Sequence, residues 1–289
     1  MRILVLGAGG MAGHLIALYL RERGHIVTGV ARRKLACCRS ITADAMDSGA
    51  LGRIVRSEGG DAVVNCIGVL NRAVDERPCA GIHLNACLPH LLAEWTGNSP
   101  TRLVHLSSDC VFSGDGNGGH AEDDFRSADT MYGRSKALGE VAYGGNVTIR
   151  TSFVGPDMNA DGGGLFNWFM RQRGAISGYR AALWSGVTSM VLARAVDAVI
   201  ARGVTGLYHL TNNSTISKYE LLGLFNELRS EPVEIRADDD IRENRSLVDT
   251  RRELGFVVPG YGEMAREMHE WMLRHRALYP HYALREPDK

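Results

Sequence analysis

Tyr132 and Lys136 stand four residues apart in the stretch MYGRSKALGE, residues 131–140. On a helix that spacing puts both side chains on one face. A free tyrosine phenol has a pKa of about 10 and ionises little at neutral pH. A lysine ammonium beside it favours the phenolate, draws that value down and readies the phenol for proton transfer. Lysine suits this task as a compact charge with rotatable donors, which arginine's planar fork does not supply. The choice is informative because the chain has only four lysines, Lys34, Lys136, Lys218 and Lys289, its other basic residues being arginine. With nine tyrosines among 289 residues, a chance pair at this spacing is roughly a one-in-eight event. A surface tyrosine beside a surface lysine is the bland alternative, so the pair needs support from its surroundings.

That support lies about two dozen residues upstream, in LSSDCVF (106–112). Ser108 at a strand end could donate a hydrogen bond to a substrate carbonyl oxygen beside the tyrosine, with Ser107 as its rival. At the other end, VLGAGGMAG spaces Gly7, Gly10 and Gly13 around Met11 directly after the first strand. A glycine turn from strand to helix lets backbone approach a pyrophosphate, and the helix N-terminus presents free N–H groups and partial positive charge. Gly-rich turns also serve as plain connectors; here position and context favour dinucleotide binding. The second strand ends on Arg32, Arg33 and Lys34, where an NAD-selective site would carry an acid. A basic cluster suits the 2′-phosphate, so NADPH is expected, with NADH the alternative. Asp44 is a candidate adenine contact. Cys66, Ile67 and Gly68 end the strand past which the cofactor should run.

Elements of the right kind surround these residues. β-rich runs at 2–7, 25–31, 61–67, 101–108 and 146–152 alternate with helical periodicity, notably at 14–22 and 82–95. Such alternation predicts an α/β fold, a Rossmann-type doubly wound parallel sheet covered on both faces, with a smaller C-terminal substrate lobe. The cofactor domain is read as 1–155, its sheet completed by 187–211, and the lobe as 156–186 with 212–289. After a loop-like GPDMNADGGG, helices are predicted at 165–173, 187–203 (ended by Gly203), 215–229 (opened by a Ser217–Glu220 capping box) and 263–275. In the lobe, Asn167 and Arg245 are the best substrate candidates. An arginine can grip a diphosphate bidentately. Trp184 is a candidate pocket wall, though a core tryptophan explains it as well.

Bulk properties narrow the class. Acidic and basic residues balance at 33 each, which gives no electrostatic footprint for nucleic acid or a membrane surface. A net charge of zero also removes one barrier to self-association and so weakly favours a homodimer. The six cysteines form no CxxC pair, and the ten histidines no HxxxH or HExxH spacing, so no metal is expected. Met1 runs straight into the first strand without a signal-like segment, and no apolar run is long enough to span a membrane. A cytoplasmic, reduced protein is the expectation.

Glycine turn, serine, tyrosine and lysine together resemble the extended branch of the short-chain dehydrogenase/reductases. HLSSDCVFSGDG followed by YGRSKALGE is similar to the dTDP-4-dehydrorhamnose reductase family, as are IRTSFVG, GLYHLTNNSTISKYEL and RENRSLVDT. The resemblance covers most of the chain. It implies hydride transfer from NADPH to the 4-keto group of a nucleotide-linked 6-deoxyhexose in glycan precursor synthesis. Tyr132 would be the general acid, Lys136 its activator and ribose ligand, and Ser108 the carbonyl-orienting hydroxyl. Asp109 and Cys110 would meet the sugar. Cys110 departs from the aromatic residue the family pattern leads one to expect, and residues 162–189 also look unusual. A UDP-linked N-acetylated 4-keto sugar is therefore an alternative substrate. A nucleotide-sugar epimerase and a non-catalytic NADP-binding regulatory subunit are alternative functions within the same resemblance.

Overall fold

The computed structural model describes residues 1–286. The first half runs β1 (Arg2–Leu6), α1 (Met11–Glu22), β2 (Ile26–Ala31), β3 (Arg39–Thr42), α2 (Ser48–Glu58), β4 (Ala62–Asn65), α3 (Asn71–Glu76), α4 (Pro78–Ile82), α5 (Leu88–Thr96), β5 (Arg102–Leu106), α6 (Met131–Leu138) and β6 (Val147–Arg150). The second half runs β7 (Phe153–Val154), α7 (Leu165–Met170), β8 (Ala175–Tyr179), β9 (Ala182–Trp184), β10 (Val187–Thr188), α8 (Ser189–Arg202), β11 (Gly206–His209), β12 (Ile216–Ser217), α9 (Lys218–Glu227), β13 (Glu234–Asp238), β14 (Glu243–Asn244) and α10 (Tyr261–Arg274).

Alternation within each strand dictates a two-faced sheet. In β1, Ile3 and Val5 join a core shared with α1, α8 and α10, while Leu4 and Leu6 join a second core with α2 and α5. Seven strands pair in the order β11-β6-β5-β4-β1-β2-β3, every pair parallel. The order reverses between β1 and β4, which opens a crevice at the carboxyl ends of those strands. Residues 206–209 form the far edge strand, beside β6.

The segment predicted as one helix at 82–95 is a longer helical run from Pro78 to Thr96, interrupted by a π-helical turn at His83–Cys87. There the buried Asn85 side chain accepts the Val69 N–H, and it donates to the Val69 carbonyl and to Ser135 Oγ on α6. A π turn at such a junction marks a constraint from outside the helix. The helices predicted at 165–173, 187–203 and 215–229 are shorter, Leu165–Met170, Ser189–Arg202 and Lys218–Glu227, the last two each preceded by a two-residue strand, while their end signals hold. Ser217 and Glu220 form the reciprocal cap of α9, and Gly203 ends α8 in the left-handed conformation.

The remaining short strands form small sheets, β8 with β13 and β9 between β12 and β14. With α7 and α9 they make a lobe whose aromatic centre is Phe166, Phe169 and Phe225. The C-terminal segment returns to the cofactor side. Trp271 Nε1 donates to Tyr279 Oη (3.2 Å), which donates to His14 Nε2 (2.8 Å) on α1. The other nitrogen, Nδ1, donates to the Gly10 carbonyl at 3.0 Å. The tail thus braces the helix that follows the glycine turn. Among the described residues no helix is long and apolar enough to cross a membrane.

Candidate active site

Gly7, Gly10 and Gly13 form a tight turn between β1 and α1. A side-chain carbon on Gly13 would lie 2.2 Å from the Gly7 carbonyl oxygen, so only glycine lets the helix start this close to the strand. No side chain caps α1 and its first turn holds no acid, which leaves its N–H groups and dipole free for an anion. These features fit a dinucleotide pyrophosphate. Met11 opens the helix beneath the loop of residues 155–164. A methyl group on Gly164 would sit 3.3 Å from Met11 Sδ. Arg32 and Arg33 are exposed where β2 ends. Asp44 follows β3 and accepts the Met46 N–H at 3.0 Å. Cys66 and Ile67 leave β4 against Gly7, with Gly68 exposed beyond them. The expected cofactor residues from Gly7 to Gly68 therefore lie along the carboxyl ends of β1 to β4.

Tyr132 and Lys136 share α6, which Thr130 caps by accepting the Gly133 N–H at 3.0 Å. Gly133 makes the arrangement possible. A side-chain carbon there would lie 2.1 Å from the Cys110 carbonyl oxygen, so α6 can press against the turn that carries Ser108. Ser108 Oγ accepts the Cys110 N–H (3.1 Å) and donates to Asp109 Oδ1 (3.2 Å). Ser107 points elsewhere, donating to Glu140 Oε1 at 2.8 Å.

The electrostatics differ from the sequence expectation. Burial, with the Cys110 thiol nearby, raises the Tyr132 phenol, and the Ser108 hydroxyl pulls it the other way. Lys136 does not lower it here, because its Nζ donates to the Leu106 carbonyl at 2.7 Å. Burial lowers Lys136 to about 8, against the Glu140 carboxylate. Tyr132 is consequently a neutral phenol, a proton donor in waiting. Burial and Asp109 push the Cys110 thiol up to about 12, so it is no nucleophile at neutral pH. Burial also raises the Asp109 carboxyl, opposed by Ser108 and Arg245.

A buried charge network fixes this end of the site. Glu140, just past α6, receives Arg150 through both oxygens (2.7 Å each), Arg126 (3.0 Å) and Ser107. Arg150 also donates to His209 Nε2 at 2.8 Å. Sequence reading missed this cluster, since its members lie on different elements and have no common spacing.

In the lobe, a cavity of about 500 Å3 is lined by Trp168, Tyr179, Lys218, Arg242, Glu243 and Arg245, among others. Ser108, Tyr132 and Lys136 do not line it. Arg245 links the two regions, since its Nε donates to the Phe112 carbonyl at 3.0 Å and Asp109 and Cys110 lie close to its charge. Two substrate expectations are corrected. Asn167 is wholly buried, its Nδ2 donating to the Gly162 carbonyl and its Oδ1 accepting Tyr282 Oη at 2.7 Å. It clamps the loop before α7 to the tail and has no free face for a ligand. Trp184 is a core residue, donating to Ser152 Oγ at 2.9 Å and packing on Tyr261. Trp168 is the tryptophan that faces the cavity.

Comparison with known proteins agrees with this geometry. The family model described as RmlD substrate binding domain matches residues 1–243. A dTDP-4-dehydrorhamnose reductase of Mycobacterium tuberculosis (strain ATCC 25618 / H37Rv) is 29% identical over 251 residues, 81% of this chain and 78% of that protein. A probable dTDP-4,6-dihydroxy-2-methyloxan-3-one 4-ketoreductase of Streptomyces antibioticus is 31% identical over 261 residues, 82% of this chain and 80% of that one. The solved structure of dTDP-4-dehydrorhamnose reductase from Bacillus anthracis str. Ames, in complex with NADP, shares the fold with TM-score 0.78 at 18% identity, covering 93% of this chain and 99% of that chain. With a glycine turn fit for a dinucleotide and Ser108 packed against the helix of Tyr132 and Lys136, the chain belongs to the RmlD substrate binding domain family.

Proposed function

We propose that this protein uses NADPH to reduce the 4-keto group of a nucleotide-linked 6-deoxyhexose, as a step in making a glycan precursor. The observation that carries this reading is the packing of Ser108 against the α6 helix of Tyr132 and Lys136, at the carboxyl end of the sheet where the glycine turn lies. Residues 1–155 with 187–211 would hold the cofactor, and 156–186 with 212–289 the sugar nucleotide. The Gly7–Gly13 turn and the first N–H groups of α1 would take the pyrophosphate, with Arg32 and Arg33 on the 2′-phosphate. Bound there, the reduced nicotinamide supplies the hydride.

The chain's own residues do the rest. Ser108 donates a hydrogen bond to the ketone oxygen and fixes its direction. Tyr132, kept protonated by burial, gives that oxygen its proton. Lys136 then faces the new phenolate, which favours the charged lysine. Arg245, Arg242 and Lys218 offer positive charge to the diphosphate from the lobe cavity. Cys110 puts a small side chain beside Ser108, which supports a second reading in which the sugar carries a bulkier N-acetyl group and a UDP carrier. The test is NADPH consumption with dTDP- and UDP-linked 4-keto-6-deoxyhexoses, with and without the N-acetyl group. Failure of every one to be reduced would count against the reading.

A further inference from the structure

Cys37 and Cys38 stand side by side where the loop after β2 turns into β3. Consecutive side chains on an extended strand point to opposite faces. Here the chain bends over residues 36–38, and the two Sγ atoms come within 4.0 Å, close enough for one thiol to donate to the other. That contact divides their chemistry. The hydrogen bond with Cys38 draws the Cys37 thiol down to about 7, with burial opposing and the Arg21 charge helping. The same bond, together with burial, holds the Cys38 thiol up. Near neutral pH the pair is thus a thiolate beside a thiol, a nucleophile with its resolving partner in place. Burial pushes Cys66 and Cys110 up to about 12, which leaves them inert.

Packing ties the pair to the cofactor turn. A side-chain carbon on Gly29 of β2 would lie 2.7 Å from Cys38 Sγ, 2.9 Å from Ala8 Cβ and 3.3 Å from Leu35 Cδ1. Leu35 also reaches Gly9, its Cδ2 lying 3.6 Å from a carbon placed there. Cys38 and Leu35 therefore fill the space that glycine leaves between β2 and the turn after β1. Arg32 and Arg33 open the same loop, exposed. On the other side Cys37 joins the core of α1, near enough to Tyr279 for its charge to act there. An S–S bond is about 2.05 Å long, so the sulfurs would have to close roughly half of their 4.0 Å separation, and at least one must leave its packing.

We propose that Cys37 and Cys38 are a reversible oxidation site: peroxide joins them in a vicinal disulfide, which displaces the Arg32–Arg33 loop and weakens NADPH binding. The effect on NADPH rests on the cofactor reading above; the disulfide itself does not. The Cys37 thiolate attacks one peroxide oxygen, the O–O bond breaks, and hydroxide leaves and takes a proton to become water. Cys37 is then a sulfenic acid, oxidised by two electrons. The Cys38 sulfur attacks Cys37 Sγ. The S–S bond forms, the S–O bond breaks, and the hydroxyl leaves with the Cys38 proton as a second water. Peroxide, the oxidant, is small enough for a cysteine that is only 8% exposed. Consecutive Cα atoms are about 3.8 Å apart, short of the roughly 4.4–6.8 Å usual for a disulfide. The bond is therefore strained, and an added dithiol reduces it readily.

Trypsin cuts after Lys34 and Arg39, so both cysteines fall in one peptide, residues 35–39. Reduced full-length protein is treated with hydrogen peroxide, blocked with iodoacetamide and mapped by mass spectrometry. The expected product is that peptide, unalkylated and two hydrogens lighter. NADPH affinity, followed by fluorescence, should weaken by about tenfold or more, the loss of one charge-assisted contact, and recover with dithiothreitol. Cys38→Ser removes the resolving thiol, so Cys37 should pass on to sulfinic acid and dithiothreitol should no longer restore binding. Cys37→Ser should keep its affinity in peroxide. A peptide with both thiols alkylated after peroxide, or a disulfide that leaves NADPH affinity unchanged, would overturn the proposal. Should either variant fail to fold, the wild-type peptide and affinity decide. A reduced protein that bound no NADPH would sink the cofactor reading and the coupling with it, while the peptide mass still decides whether the disulfide forms.

Discussion

Tyr132 has a proton to give because burial outweighs every charge near it. Phenylalanine keeps the ring and removes only that proton. Tyr132→Phe should lower kcat by about 10²–10⁴-fold while NADPH binding, followed by fluorescence, stays near wild type; retained turnover would remove the phenol from the reaction. At the other end of the site, Arg33→Glu places a negative charge where the 2′-phosphate is expected. Preference should move toward NADH by about tenfold or more, read from the ratio of kcat/KM values for the two cofactors. Both residues stand out as candidates in the sequence because each belongs to a local pattern, a helical i, i+4 pair and a strand-end cluster. The direction of Lys136 was not legible. A long side chain chooses its partner from what folding brings near, here Leu106 and His105.

At the scale of elements, α6 is held in place by a close approach and by a buried charge. Gly133→Ala would force a carbon against the Cys110 carbonyl, 2.1 Å away. Overpacking of this kind costs about 1–3 kcal/mol and would shift Tyr132 away from Ser108, so kcat should fall along with Tm. Glu140→Ala strands the buried Arg150; removing one partner of such a pair costs about 3–5 kcal/mol, measurable by denaturant unfolding. Helix α7 shows why the substrate residues were harder to assign. It has only six residues, too few for periodicity to set its phase, and the inward face proved to be Asn167 and the cavity face Trp168. Asn167→Ala should therefore lower stability by about 1–3 kcal/mol through its lost internal bonds and leave the sugar-nucleotide KM nearly unchanged. Trp168→Ala should do the reverse.

Across the whole molecule, a doubly wound parallel sheet was readable from alternating strand and helix signals, because its central strands carry apolar residues on both faces. The long-range ties were not readable. His14 meets Tyr279 across 265 residues, and nothing local to either announces it. Buried neutral histidines also set the acid response. Burial and Arg150 bring His209 down to about 4, against an unfolded value of about 6.5. Between those values the unfolded chain holds more protons than the folded one, so stability should fall as pH drops through that window. His209→Gln should flatten the dependence, as seen in denaturation midpoints at intervals from pH 7 to 4. The central claim concerns chemistry, and one assay bears on it most directly. A dTDP-linked 4-keto-6-deoxyhexose, made in situ by a dehydratase, is mixed with NADPH and purified protein, and absorbance of the reduced cofactor is followed. The account predicts stoichiometric NADPH consumption with wild type, giving a 4-hydroxy sugar, and almost none with Tyr132→Phe. Equal consumption by both proteins would contradict it, as would tight NADPH binding with no reduction of any dTDP- or UDP-linked 4-keto sugar.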